Sequence, residues 1–337
     1  MTSTWHEFLG SAGARIERRL VGDFGDATGE LAAATTATVV APLTHLAIID
    51  VGGDDGAAFL HNQFTSDVNR LPAERAQHSA WCSAKGRMLA SFLIFRQGPA
   101  LRLRLAAESA TAIAKRLQMY VLRSRVTVVD QSANRAIVGL AGPQAVAALQ
   151  ATDLPQPASV LGTAAFADGV VIRLDERRFE IVVGADAAPA LWKRLREHAR
   201  PVGTPVWQWL DIEAGIPLIG ERTRELFVPQ MAGFERLGGV SFNKGCYPGQ
   251  EVVARTQYLG KVKRHLYRVR LSGPAEPGDV LSAPASPESV CGTIVNVAPA
   301  PGGGYEALAV IQQTFAAGDL RLGAPNGVPV TVTALGD

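Results

Sequence analysis

Apolar and polar positions change register several times along this chain, and each change predicts a different kind of element. The first 30 residues predict a helix followed by a loop rich in Gly and Asp. Residues 39–51 are β-rich and end at Gly52-Gly53, after which Asp54 or Asp55 offers an N-cap for a short helix over 57–62, and Thr65 or Ser66 for a second turn. Residues 79–83 and 88–95 predict two strands joined by a turn at Lys85-Gly86. Over 101–105 leucine alternates with arginine, the two-residue period of a half-buried strand. Residues 108–120 have helical spacing, with Ile113, Leu117 and Tyr120 on one side, and 126–129 predict another strand. Antiparallel strands interleaved with helices define an α+β lobe over residues 1–130.

A second α+β lobe is expected over residues 131–245. Residues 136–140 predict a strand, and Gly142-Pro143 opens a helix to about Leu149. Residues 170–174 and 179–183 predict a hairpin through Asp175-Glu176-Arg177, and 189–198 a helix. Thr204-Pro205 then starts a helix carrying Trp207, Trp209, Leu210 and Ile212, which should stop near Gly215. From about Gln250 the texture becomes short β-rich runs between Pro/Gly clusters, the pattern of a small all-β barrel over residues 246–337. No internal repeat and no heptads interrupt this plan.

Composition narrows the class. A hydrophobic fraction of 47% with 19% charged residues is that of a globular protein. The formal net charge of +2 is too small to imply nucleic acid or membrane. Only six of the 33 basic residues are lysines, and two of them, Lys85 and Lys244, stand before glycine. The cysteines Cys82, Cys246 and Cys291 form no Cys-x-x-Cys pair and no closed metal framework. An odd, low count suits a reducing compartment, and the charged N-terminus lacks the apolar stretch of a signal peptide, so a cytoplasmic location is expected.

Four segments are candidates for chemistry. The first is the octet Lys244-Gly245-Cys246-Tyr247-Pro248-Gly249-Gln250-Glu251, a thiol in a Gly/Pro-punctuated turn with a cation two residues before it. A lysine so placed can favour the thiolate, whereas Cys82 and Cys291, in β segments, read as buried apolar residues. The second is Lys85-Gly86-Arg87, either two cations aimed at a carboxylate or phosphate or an ordinary hairpin tip with solvated charges. The third is Glu213-Ala214-Gly215, either a solvated helix end or a carboxylate paired with the amidine-like edge of a heterocycle. The fourth is the run 255–270, with Arg255, Lys261, Lys263, Arg264, Arg268 and Arg270 interleaved with Tyr258 and Tyr267, which reads as an RNA-binding strip or as the solvated face of a barrel.

Taken together these segments resemble one family. The octet followed by Val252-Val253-Ala254-Arg255-Thr256 is similar to the signature of the YgfZ family of folate-binding proteins. Phe64-Thr65-Ser66-Asp67, Lys85-Gly86-Arg87, Glu213-Ala214-Gly215-Ile216-Pro217, Glu221-Arg222-Thr223 and Phe227-Val228-Pro229-Gln230-Met231 resemble the same family, which is related to the glycine-cleavage T-protein. The resemblance runs from about Leu43 to Gly260. It implies an α+β, three-domain cloverleaf around a central folate channel with a C-terminal β-barrel. It implies tetrahydrofolate or a one-carbon derivative as cofactor, with Glu213 on the pterin and Lys85, Arg87 and Gln250 as further binding residues. It also implies Cys246 and Lys244 as the functional groups, and a role in assembling or maintaining iron–sulfur enzymes, including those that modify tRNA. The T-protein's catalytic aspartate motif has no counterpart in Leu103-Arg104-Leu105-Ala106-Ala107-Glu108, which argues against aminomethyl transfer by that mechanism. An active one-carbon transferase and an RNA-binding module stand as the alternatives, and the partners expected are folate and iron–sulfur client proteins, not a membrane.

Overall fold

The computed structural model describes residues 4–167, 169–258, 262–333 and 335. The chain divides into two compact units. The first comprises Met1–Phe59, Asn69–Gln77 and Phe92–Trp207, and the second Leu60–Val68, His78–Ser91 and Gln208–Asp337.

The first unit holds a six-stranded sheet in the order Thr163–Phe166, Gly169–Arg173, Arg178–Gly184, Arg135–Ala141, Val39–Pro42, Arg200–Pro201. All neighbours are antiparallel except the last pair. The expected hairpin through 175–177 is its centre, with Phe179 facing Leu140 and Ile181 facing Val138 in register. The helices Thr4–Ser11 and Ala188–Leu195 cover one face, where Trp5 meets Trp192 edge-on and Leu9, Val138, Phe179, Leu191 and Leu195 fill the core. Part of the expected N-terminal loop is instead a small hairpin of Arg15–Glu17 with Leu20–Asp23. Among the described residues no helix is long and apolar enough to cross a membrane.

A second sheet runs in the order Ala76–Cys82, Met88–Gln97, Ala100–Ala106, Leu46–Gly52, Thr127–Asp130. The first two strands are the hairpin predicted around Lys85-Gly86, and its tip belongs to the second unit. The strand Ala100–Ala106 is where the Leu/Arg alternation predicts it, yet it is not half-buried. Arg102 and Arg104 are each 5% exposed. Each guanidinium has a carboxylate: Asp50 lies 3.1 Å from Arg102 Nε and Glu180 lies 3.3 Å from Arg104 Nε. A long polar side chain can be buried when its charge is met there.

The second unit contains the expected barrel, which is closed and six-stranded, in the order Arg264–Leu271, Tyr305–Gln312, Gly292–Pro299, Val280–Ser282, Leu320–Leu322, Pro329–Thr333. Its core takes alternate residues, among them Val269, Leu271, Ala307, Ala309 and Ile311. The β reading from residue 250 begins too early, because a helix, Gln250–Tyr258, precedes the first barrel strand. The paired valines at 252 and 253 favour a strand in isolation. However, the stretch 250–258 has neither Gly nor Pro, Val253 is buried, and Gln230 Nε2 donates to its carbonyl.

Candidate functional site

The octet closes on itself through a β-turn. Gln250 N–H donates to the Tyr247 carbonyl at 3.1 Å, Pro248 occupies the second position of the turn, and Gly249 the third with φ +81°. That is the residue order a type II turn requires. Gln250 is the first residue of the helix that follows. Upstream, the predicted hairpin turn is real: Gly86 N–H donates to Ser83 O and Ser83 N–H to Arg87 O, each at 2.8 Å, with Gly86 at φ +69°. Glycine in that conformation closes a bulged hairpin.

These two turns are one structure. A Cβ on Gly249 would lie 2.7 Å from both Cα and N of Gly86 and would also collide with Ser83 O. A Cβ on Gly86 would lie 2.9 Å from Cβ of Val252 and 3.3 Å from Gly249 O. The backbones approach so closely that each position must lack a side chain. The other motif segments are stitched to the same place. Thr65 exchanges a hydrogen bond with Ala80 and donates through its hydroxyl to Gly239 O at 2.6 Å. Ser66 and Ser79 hydroxyls meet at 2.7 Å, and Ser241 N–H donates to Thr65 O. Met88 N–H donates to Phe227 O, and Gln230 Nε2 donates to Val253 O at 2.7 Å.

Cys246 is exposed beside this junction, while Cys82 and Cys291 are buried. Burial pushes the Cys82 thiol up to about 12. Lys244 is half-buried, and its ammonium donates to two carbonyls at the C-terminal end of the helix Gly56–Gln63, those of His61 and, at 2.6 Å, Phe64. A helix C-terminus is a place where a cation is favoured. The ammonium also sits 4.8 Å from the centre of the Tyr247 ring. Burial brings the Lys244 pKa down to about 8, opposed by Asp67 and Cys246. Lys244 therefore fastens the octet to that helix end as well as supplying charge near the thiol. Lys85 is exposed at the hairpin tip, and Arg87, also exposed, donates to Leu226 O.

One residue beside the octet, His61, carries no signal in the sequence patterns described above. His61 lies in the last turn of the Gly56–Gln63 helix, with its Nδ1 3.1 Å from Asp67 Oδ1. A Cβ on Gly245 would be 3.6 Å from His61 Nε2. Burial, followed by the charge on Lys244, lowers the His61 pKa, and Asp67 opposes both. The available signal was its position six residues before an aspartate in a segment already singled out, in a chain with only six histidines.

Glu213 ends the helix Thr204–Glu213. Gly215, at φ +65°, donates to Ile212 O at 3.0 Å, and Ile216 N–H donates to Asp211 O at 2.9 Å, so Glu-Ala-Gly is a glycine-stopped helix end. Arg236 donates to the carbonyl of Gly215 at 2.5 Å. The Glu213 carboxylate accepts from Arg268 Nη1 and is 37% exposed. Its pKa is raised by burial and by a hydrogen bond and charge repulsion from Glu306, with Arg268 opposing. Trp209 Nε1 donates to Glu306 at 3.1 Å, and Arg270 lies 4.0 Å from the same carboxylate. Arg268 and Arg270 of the basic run are thus matched to acids rather than arrayed as a bare cationic strip. Lys261 of that run, and Gly260 at the end of the family resemblance, lie outside the described residues. Among the described residues no group of three or more His, Cys, Asp or Glu side chains could hold a metal ion.

This fold and these motifs define a class. Residues 23–244 match the GCVT N-terminal domain family. The fold is shared with the glycine cleavage system aminomethyltransferase T from Bartonella henselae, with a TM-score of 0.82 over 98% of this chain and 95% of that one at 19% identity. The sequence is 33% identical over 239 residues to the tRNA-modifying protein YgfZ of Sodalis glossinidius, covering 70% of this chain and 73% of that protein. It is 33% identical over 226 residues to the protein of the same description from Yersinia pestis (strain Pestoides F), covering 66% and 67%. The chain belongs to the YgfZ family.

Proposed function

We propose that this protein binds tetrahydrofolate, or a one-carbon derivative of it, and serves iron–sulfur enzymes, among them enzymes that modify tRNA. The observation that carries the reading is the exposed Cys246 thiol, mounted where the Gly86 and Gly249 turns interlock. A scaffold with so many stitched segments holds one side chain out to a partner rather than hiding it. Relatives at 33% identity are described as tRNA-modifying proteins, which supports the client class.

The groups present fit a pterin. Glu213 offers a partly exposed carboxylate. Its Oε1 accepts from Arg268, which holds the carboxylate in place; the N–H donors of an aminopyrimidine edge would take over the contact that Glu213 makes with Glu306. Arg268 opposes the protonation that burial and Glu306 favour at that carboxylate, and Lys85 supplies a cation for the carboxylates of a folate's glutamate tail. The family resemblance adds Gln250 and Arg87 to the binding residues. The cofactor, when bound, supplies the one-carbon chemistry; the chain supplies orientation and a thiol.

Glu213 must be ionised to accept two N–H donors. Burial and Glu306 raise its pKa, so acidification protonates it in the free protein and weakens binding. The affinity for tetrahydrofolate, measured by anaerobic calorimetry, should therefore begin to fall above the ordinary glutamate pKa of about 4.3. In Glu306→Gln that onset should move to lower pH. Glu213→Gln should bind at least about tenfold more weakly at pH 7, the loss of a charge-assisted pair. Unchanged affinity in Glu213→Gln would remove Glu213 from the pterin. The service role has a separate test: this gene should restore an iron–sulfur tRNA-modifying activity to a bacterium deleted for its own relative. Failure to restore it, with the protein folded and present, would overturn that role.

A further inference from the structure

We propose that His61, oriented by Asp67, is the proton acceptor for the Cys246 thiol. The proposal rests on the reading of Cys246 as the functional thiol, and it adds the residues that make it one.

Three observations place the imidazole. His61 has a different neighbour at each nitrogen: Nδ1 is 3.1 Å from Asp67 Oδ1, while Nε2 is the atom that a Cβ on Gly245, the residue bonded to Cys246, would meet first. Gly245 has no side chain to stand between them; even a Cβ there would be only 3.6 Å from Nε2. The octet is also fastened to His61 itself, because the Lys244 ammonium is bound by the His61 carbonyl. One lysine thus ties the thiol-bearing loop to the residue that carries the imidazole. A nucleophile, a base and a carboxylate behind the base form the arrangement that activates thiols and hydroxyls on unrelated folds.

The charges agree with the role. A base must be neutral before it acts, and burial together with the Lys244 ammonium keeps His61 neutral at pH 7. The charged groups that act on it are Asp67 from its own segment and Lys244 from the octet; Cys246 acts on that same lysine. In the transfer the S–H bond breaks and an N–H bond forms at Nε2, and the electron pair stays on sulfur. The imidazolium is then balanced by Asp67, and the thiolate has the Lys244 ammonium for a neighbour.

Alkylation by iodoacetamide reads this directly, since Cys82 and Cys291 are buried and Cys246 is exposed. Cys246→Ser gives the background. The rate constant would be measured from pH 5.5 to 9.5 on wild type, His61→Gln and Asp67→Asn, each checked for folding by circular dichroism. At pH 7, His61→Gln should react at least about tenfold more slowly, and Asp67→Asn by an intermediate factor. Both differences should vanish near pH 9.5, where a thiol ionises unaided. A wild-type rate at pH 7 in both variants would assign any activation to Lys244 and overturn the proposal. So would a slowing that stays constant with pH, which marks a merely structural change. Because no folate is present, the result stands apart from the calorimetric test of Glu213.

Discussion

Gly249→Ala is expected to destabilise the protein by about 2–5 kcal/mol, although it adds a single methyl group. Two costs combine. The first is conformational: at φ +81° an L residue pays about 1–2 kcal/mol for the left-handed region. The second is steric, and it cannot be relieved by rotating a side chain. The new Cβ would lie 2.7 Å from Cα and N of Gly86, both backbone atoms in a hydrogen-bonded turn. Overpacking of this kind costs about 1–3 kcal/mol. Gly238 separates the two terms, because it too has a positive φ, +66°, yet a Cβ there meets nothing within 4 Å. Gly238→Ala should therefore show the conformational cost alone. Gly86→Ala should also exceed Gly238→Ala, since its nearest obstruction is Val252 Cβ at 2.9 Å, an atom fixed by the helix backbone. Urea denaturation of the three variants measures all of this, and equal losses at 249 and 238 would show that the turns are not locked together.

The same junction shows how far the sequence could be read. Both turns were legible, because Pro-Gly and Lys-Gly prescribe local dihedral angles. Their mutual contact was not, because a glycine selected for φ > 0 and a glycine selected for close approach look alike in one sequence. The helix end at Glu213 was legible from Gly215, a local stop signal. The pairing of Glu213 with Arg268 and Glu306 was not, since it depends on which barrel residues face that helix end. His61 was missed for a related reason: a histidine in a short helix gives no periodic signal, and its meaning comes from Gly245, far along the chain. The alternation over residues 101–105 predicts a half-buried strand; the strand is there, but both of its faces are buried. Alternation reports the two faces of a strand, and it does not report whether a carboxylate waits on the second face.

That second face carries the other large expected effect. Glu180 is fully buried and Arg104 nearly so, 3.3 Å apart inside the first unit. Glu180→Ala leaves a buried guanidinium without its carboxylate and should cost about 3–5 kcal/mol. The pair itself need not be stabilising, because taking two charges from water offsets much of their attraction. Replacing both, as Arg104→Met with Glu180→Leu, should therefore recover most of what Glu180→Ala loses. A double variant as weak as the single one would mean that the shape of the ion pair, not its charge balance, holds the site. His45 sharpens the expectation. It is buried, and among the described residues neither ring nitrogen has a hydrogen-bond partner. Burial, with Arg104 adding to it, brings its pKa down to about 3 from an ordinary 6.5. The unfolded chain takes up that proton below pH 6.5 and the folded chain does not, so stability is full above pH 6.5 and drains away as pH falls toward 3. Relieving the nearby positive charge should soften this loss. Acid titration of the Arg104→Met, Glu180→Leu variant should accordingly show a shallower decline between pH 6.5 and 3 than wild type, read by denaturation midpoints at each pH.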